Sequence, residues 1–315
     1  MDQPERQTRS RLMQLFNEQG YHPRHDLGQN FLIDLNLLEI VVQSASLAPS
    51  DVVLEVGTGT GGMTNFLADQ AGYVISVEID PRVHSLARES TADRTNVTLL
   101  NCDILKSKNQ LQPAVLDELH SRLAAIPDSR LKLVANLPYS VATPVISNLI
   151  ASELPWELMV VTIQWELALR MQAGPHSADY SALSVWLQSQ CQVELLKRLP
   201  PTVFWPRPKV DSAIVRITPD LPRASRIADR QFFQEFIRRI FTQRRKHLCG
   251  VLASEYRKRI PRERIESVLL AESSDPNVRA EELSPDQLVR IASAIQTELA
   301  TDPQPSDNQI PAQPD

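Results

Sequence analysis

From Asp51 onward the chain repeats one pattern, an apolar strand, a short loop and a helix. Few folds accommodate that repeat. A strand whose successor lies beyond a helix pairs with it in parallel, because the helix carries the chain back to the starting edge. Residues 52–56, 73–77, 97–100, 132–135 and 158–164 read as the strands. The glycine loop 57–62 and a helix over 63–70 follow the first, and Pro81 opens a helix over 81–89 from its first position. Residues 107–125 read as one long helix, an insertion on the outer face. Residues 192–199 and 213–218 have no helix between them and should pair as a hairpin across the proline-rich loop 200–208. Beyond Ala228 the chain reads as helical to about Leu299. The expected fold class is α/β, a doubly wound, mostly parallel sheet with a small all-helical C-terminal domain.

In such a sheet, ligands bind beyond the carboxyl ends of the strands. Gly57, Gly59 and Gly62 fit G-x-G-x-x-G between a strand and a helix, where a cofactor comes too close to the backbone for a Cβ. Glu78 closes the second strand, placed to hold ribose hydroxyls. On these facts alone NAD is a serious competitor. Asp103, at the end of the third strand, can accept the amino group of an adenine. The fourth strand stops at Asn136-Leu137-Pro138-Tyr139, because Pro138 cannot donate to a ladder. An amide, fixed carbonyls and an aromatic ring remain there, suited to an exocyclic amine on a base. Each acid alone is more readily a helix cap or a solvated carboxylate, and the turn alone as readily packing. Taken in order along the strand ends, they suit S-adenosylmethionine better than a dinucleotide.

Composition adds limits. No run of about 18 apolar residues suggests a membrane span, and Cys102, Cys191 and Cys249 have no metal-ligand spacing. No metal is expected, and the protein reads as cytoplasmic with reduced thiols. Net charge is −5, so any nucleic-acid surface must be local. Residues 238–264 carry ten basic and two acidic side chains, Arg244, Arg245 and Lys246 among them. That asymmetry favours RNA phosphates over a merely solvated face. Phe232, Phe233, Phe236, Ile237, Ile240 and Phe241 form the apolar arc of the helix before it. On a straight continuation Arg244 would fall inside that arc, so the helix is expected either to break near Thr242 or to turn Arg244 toward the interdomain cleft.

Taken together, the segments Leu27-Gly-Gln-Asn-Phe-Leu32, Glu55-Val-Gly57 with Gly59 and Gly61, Glu78-Ile-Asp80, Asp103, Asn136-Leu-Pro-Tyr139, Gln164 with Glu166, Phe204-x-Pro-x-Pro-Lys-Val-Asp-Ser212 and Gln243-Arg-Arg-Lys246 resemble the ribosomal small-subunit RNA adenine-N6 dimethyltransferases. The resemblance runs from Leu27 into the C-terminal helices. It implies a seven-stranded methyltransferase sheet and cofactor contacts at Asn30, Leu32, Gly57, Glu78, Asp103 and Asn136. It also implies dimethylation of two adjacent adenines near the 3′ end of small-subunit rRNA, on the pre-30S particle, by a monomer. Asn136, Leu137, Pro138 and Tyr139 would form the amine site. Tyr139 and Phe204, the latter on a stiff exposed loop, would sandwich the base, and Arg244, Arg245 and Lys246 would hold phosphates. Where the family usually has proline this chain has Thr58, and where it often has lysine this chain has Trp165. The connector after Asp103 is longer than usual. The related large-subunit enzymes and a non-catalytic RNA-binding assembly or transcription factor are the alternatives. The expected domains are an N-terminal helical arm over 1–26 with a helix at 10–19, a methyltransferase domain over 27–222, a helical RNA-binding domain over 223–300 and a disordered tail over 301–315.

Overall fold

The computed structural model describes residues 9–18, 20–24, 27–273 and 275–301; the expected disordered tail and the start of the N-terminal arm lie outside them. In chain order the first elements are α1 (Arg9–Glu18), β1 (Phe31–Leu32), α2 (Leu35–Ser44), β2 (Asp51–Val56), α3 (Gly62–Ala68), β3 (Tyr73–Glu78), α4 (Pro81–Ser90) and β4 (Val97–Asn101). Then come β5 (Leu105–Ser107), β6 (Gln110–Leu111), α5 (Pro113–Ala125), β7 (Arg130–Asn136), α6 (Ala142–Ala151), β8 (Trp156–Gln164), α7 (Trp165–Gln172) and α8 (Ala182–Gln188). The last are β9 (Cys191–Leu199), β10 (Phe204–Trp205), β11 (Ser212–Pro219), α9 (Leu221–Ala224), α10 (Arg230–Thr242), α11 (Leu248–Glu255), α12 (Arg262–Ser273) and α13 (Pro285–Thr301). These divide into two compact units, Met1–Gln172 with Gln190–Leu221, and Ala173–Ser189 with Pro222–Asp315.

The first unit is built on a seven-stranded sheet in the order β4-β3-β2-β7-β8-β11-β9. Pairing is parallel from β4 to β8 and antiparallel at β8–β11 and β11–β9. Strands β2 and β7 are buried nearly throughout, as apolar runs without alternation require. The helices α2 and α3 bury Leu38, Val41, Val42, Met63 and Leu67 against Val53, Val74, Val134 and Val160. The chain winds outward from β2 through β3 to β4 and returns to β7 on the other side. The crevice between the ends of β2 and β7 is thus the topological switch point.

One element differs from the sequence reading. The segment read as a helix over 107–125 begins as a small antiparallel ribbon, β5 with β6, and becomes helical only at Pro113. Lys108 and Asn109 make the turn, asparagine being tolerant of turn backbones, and proline starts the helix without losing a needed N–H. Helices α7 and α8, unread in the sequence, fill the interval before β9.

The second unit is helical and discontinuous in sequence. Helix α10 buries Phe233, Phe236, Ile237 and Ile240 on one face and packs on α8 and α13. Trp186 of α8 lies 6.3 Å from Phe233, ring centre to ring centre. The Tyr180 hydroxyl donates to the Leu283 carbonyl at 2.8 Å, so residues 173–189 are structural members of this unit.

Candidate functional site

At the end of β2 the backbone turns left-handed three times, at Gly57, Gly59 and Gly61, with φ of 84°, 58° and 82°. The third is Gly61, not Gly62 as the fingerprint spacing suggested; Gly62 is the first residue of α3. A Cβ on Gly57 would stand 3.1 Å from Pro138 Cδ, and one on Gly59 would stand 3.2 Å from the Phe31 ring. Glycine is therefore demanded twice over, by the left-handed backbone and by contact with the turn after β7 and with β1.

Glu78, at the end of β3, is only 6% exposed. Its Oε2 accepts from the Gly59 N–H at 3.2 Å and its Oε1 from the Asp80 N–H at 3.0 Å. Burial, the largest influence, pushes this carboxyl up to about 7, and the neighbouring Asp80 charge adds to the rise. Deeper in the crevice Glu55 is fully buried and raised to about 7, again by desolvation first. Glu55 Oε2 accepts from Ser76 and Thr64 hydroxyls, each at 2.6 Å, while Oε1 has no partner. Because Ser76 spends its proton on Glu55, its oxygen takes the Thr58 hydroxyl at 2.6 Å. Thr58 thus joins a buried chain of hydrogen bonds.

Asp103 is exposed, two residues beyond Asn101, which pairs with Glu78. Its Oδ1 accepts from the Leu105 N–H at 2.9 Å. Asn136 Nδ2 donates to the Asn30 carbonyl at 2.8 Å, and the Asn30 amide in turn donates to the Gly28 carbonyl at 3.1 Å. That bond fixes the orientation of the Asn136 amide, whose Oδ1 is an acceptor. The turn itself is held by Leu137 N–H to Thr162 O at 3.1 Å and Val141 N–H to Pro138 O at 3.0 Å. The Tyr139 hydroxyl lies 2.6 Å from Ser212 Oγ, and burial raises its pKa. A cavity lined by Phe31, Leu32, Glu55, Gly57, Gly59 and Asn136 lies between these parts. Five of the six expected cofactor residues, Asn30, Leu32, Gly57, Glu78 and Asn136, therefore line it or bond directly to its wall; Asp103 stands at the neighbouring strand end.

Two substrate expectations require correction. Phe204 is 2% exposed, pairs with Leu32 across β1–β10 and packs among Leu38, Leu199 and Ile214. It sits in the core and offers no open face to a base, because the ribbon turns it toward Leu38 and Ile214 and turns Trp205 toward Phe16 and Phe31. In the second unit α10 ends at Thr242, and Arg244 folds back. Its guanidinium donates to the carbonyls of Tyr180 at 2.5 Å and Ala178 at 3.0 Å and pairs with Glu281 at 3.3 Å. Those contacts occupy Arg244 as a structural clasp. Arg245 and Lys246 are exposed without a partner among the described residues.

Sequence reasoning assigned no role to Glu55, Ser76, Ser212 or Tyr21. The buried Tyr21 hydroxyl lies 2.6 Å from Gln29 Oε1 and 2.9 Å from Asp80 Oδ2, tying the segment before β1 to the first turn of α4. A charged residue inside an apolar strand run was the available signal for Glu55.

Comparison with known proteins places this geometry. The profile of the ribosomal RNA adenine dimethylase family matches residues 21–297. The ribosomal RNA small subunit methyltransferase A of Moorella thermoacetica is 35% identical over 290 residues, 92% of this chain and 98% of that protein. The enzyme of the same name from Lactiplantibacillus plantarum is 36% identical over 288 residues, 91% of this chain and 94% of that one. A crystal structure of a dimethyladenosine transferase from Plasmodium falciparum has the same fold, with a TM-score of 0.67 at 22% identity over 84% of this chain and 97% of that one. That of the 23S rRNA methyltransferase ErmE gives 0.58 at 25% identity over 84% and 99%. With its glycine loop, buried acids and Asn-Leu-Pro-Tyr turn in one crevice, and with relatives matched along nearly their whole length, this chain belongs to the ribosomal RNA adenine dimethylase family.

Proposed function

We propose that this protein transfers methyl groups from S-adenosylmethionine to the N6 amines of two adjacent adenines near the 3′ end of small-subunit rRNA. The reading places it on the pre-30S particle, as a monomer in the cytoplasm. Among the described residues no helix is long and apolar enough to cross a membrane.

The residues present fit the cofactor. Gly57 and Gly59 put bare backbone on the cavity wall, and Glu55 Oε1 is a buried acceptor without a donor on the wall of the same cavity. Leu32 and the Asn30 carbonyl would border the cofactor, Glu78 would take ribose hydroxyls on its remaining lone pairs, and Asp103 would take the adenine amine. When bound, S-adenosylmethionine supplies an electrophilic methyl group, which passes to N6 as the carbon–sulfur bond breaks onto sulfur.

The observation that carries the reading is the 2.8 Å bond from the Asn136 amide nitrogen to the Asn30 carbonyl. It supports Oδ1 as the acceptor for one N6–H, with a backbone carbonyl of the Leu137–Pro138 turn accepting the other. Two acceptors draw a planar, delocalised amine toward tetrahedral geometry and aim its lone pair. The surplus proton leaves to water once the new bond forms. Positioning carries the catalysis, and a strong base is not required. Tyr139 would stack on the flipped base. Incubation with labelled cofactor and undermethylated small subunits, followed by mapping of modified bases, tests the proposal. Label in two adjacent adenines near the 3′ end of the small-subunit RNA is expected; label elsewhere overturns it.

A further inference from the structure

We propose that Arg198, stacked on Trp165, forms a platform for an unpaired RNA base that flanks the methylated adenine. This rests on the rRNA reading above and adds a specificity-determining surface to it.

Trp165 is the first residue after β8 and opens α7. Its backbone N–H donates to the Asp211 backbone carbonyl at 2.9 Å. The Arg198 guanidinium, from β9, lies over the Trp165 ring 4.5 Å from its centre. The Asp211 carboxylate grips the edge of that guanidinium at Nε, 2.7 Å, and at a terminal nitrogen, 2.5 Å. An exposed arginine ordinarily samples many rotamers, yet this one is held on one face and along one edge. What stays open is the second face of a rigid planar cation, on a side chain 57% exposed. Asp211 neutralises the charge, so the group is poorly suited to a phosphate and well suited to stacking. RNA-binding proteins stack unpaired bases on arginine planes as well as on rings.

The platform is coupled to the amine site through adjacent residues. Asp211 precedes Ser212, which lies opposite Gln164 and whose hydroxyl is 2.6 Å from that of Tyr139. Asn136 is level with Thr162 on β8. Trp165 is three residues further on, roughly 10 Å at the rise of a strand. That separation suits a neighbouring nucleotide and excludes the target base itself.

Four variants test this: R198A, R198K, W165A and W165F. Steady-state methylation of undermethylated small subunits is measured against subunit concentration and salt. R198A, W165A and R198K should raise KM roughly 5- to 150-fold, the range for one lost base stack. kcat at saturation, S-adenosylmethionine affinity and the salt slope of RNA binding should hold. W165F, which keeps a ring beneath the guanidinium, should recover most of the loss. R198K equal to the parent protein, or a salt slope reduced by about 1 in R198A, would mean a charge contact and overturn the platform. Unchanged KM in R198A and R198K would make the pair a mere brace, whatever W165A does to folding. Absence of methyl transfer by the parent protein is a separate failure, that of the proposed function.

Discussion

At the scale of single residues, one hydrogen bond sets the chemistry open to Asn136. Its amide nitrogen donates to the Asn30 carbonyl, which orients its oxygen as an acceptor, the role it has in the proposed function. Asn136→Ala should lower the single-turnover methyl-transfer rate by about 10²–10³, roughly 2.7–4 kcal/mol, with RNA affinity nearly intact. A fully active variant would remove the residue from the mechanism. Arg244 and its neighbours make the opposite lesson, since adjacent cations have unlike duties. Arg244→Ala strands two carbonyls and Glu281, and should cost about 1.5–3 kcal/mol of stability. Arg245→Ala and Lys246→Ala should each stay within about 0.5 kcal/mol of the parent while lowering the salt slope of RNA binding by about 1. Denaturant melts beside salt-titrated binding separate the two behaviours, and equal melts for all three would refute the clasp.

At the scale of elements, the turn after β7 is braced from three sides. The Gly57 backbone closes on Pro138, Thr162 of β8 accepts from Leu137, and Ser212 of β11 meets the Tyr139 hydroxyl. A ring that acted only by stacking would not need its hydroxyl. Here that hydroxyl fixes the ring to the antiparallel edge of the sheet, so Tyr139→Phe should lose part of its activity, about 1 kcal/mol or several-fold, and Tyr139→Ala nearly all. Ser212→Ala should reproduce the phenylalanine loss, since it removes the other half of the same bond. A silent Ser212→Ala beside an impaired Tyr139→Phe would place the hydroxyl's role elsewhere. The ribbon of β1 with β10 shows the same logic in reverse. Pairing Leu32 with Phe204 turns Phe204 into the core, where prolines on both sides had suggested an exposed loop.

At the scale of the whole molecule, two acids beneath one cofactor crevice link stability to pH. Glu55 and Glu78 are raised from 4.5 to about 7, chiefly by burial. Between those values the folded protein holds protons that the unfolded chain releases. Their contribution is present at low pH and is lost as pH rises from about 4.5 to about 7. The melting temperature of Glu55→Gln relative to the parent should therefore climb across that window, because the neutral amide escapes the desolvation cost. A flat difference would mean that Glu55 is already ionised. Ligand hydroxyls favour the charged form of Glu78, so S-adenosylmethionine affinity, followed by calorimetry, should rise with pH through about 7.

Periodicity determined the architecture, because apolar strand runs separated by helices leave a parallel sheet as the economical solution, and the glycine, Glu78 and Asn136 positions follow at its carboxyl edge. The helix break at Thr242 and the hairpin of β9 with β11 were likewise legible, from Arg244 falling on an apolar arc and from the missing helix between two strands. Side-chain orientation was not. Whether Phe204 faces inward, Arg244 bonds carbonyls or Glu55 keeps a bare oxygen depends on groups tens to hundreds of residues away in sequence. Local pattern records which face of an element is apolar; only the packed fold decides what each polar atom meets.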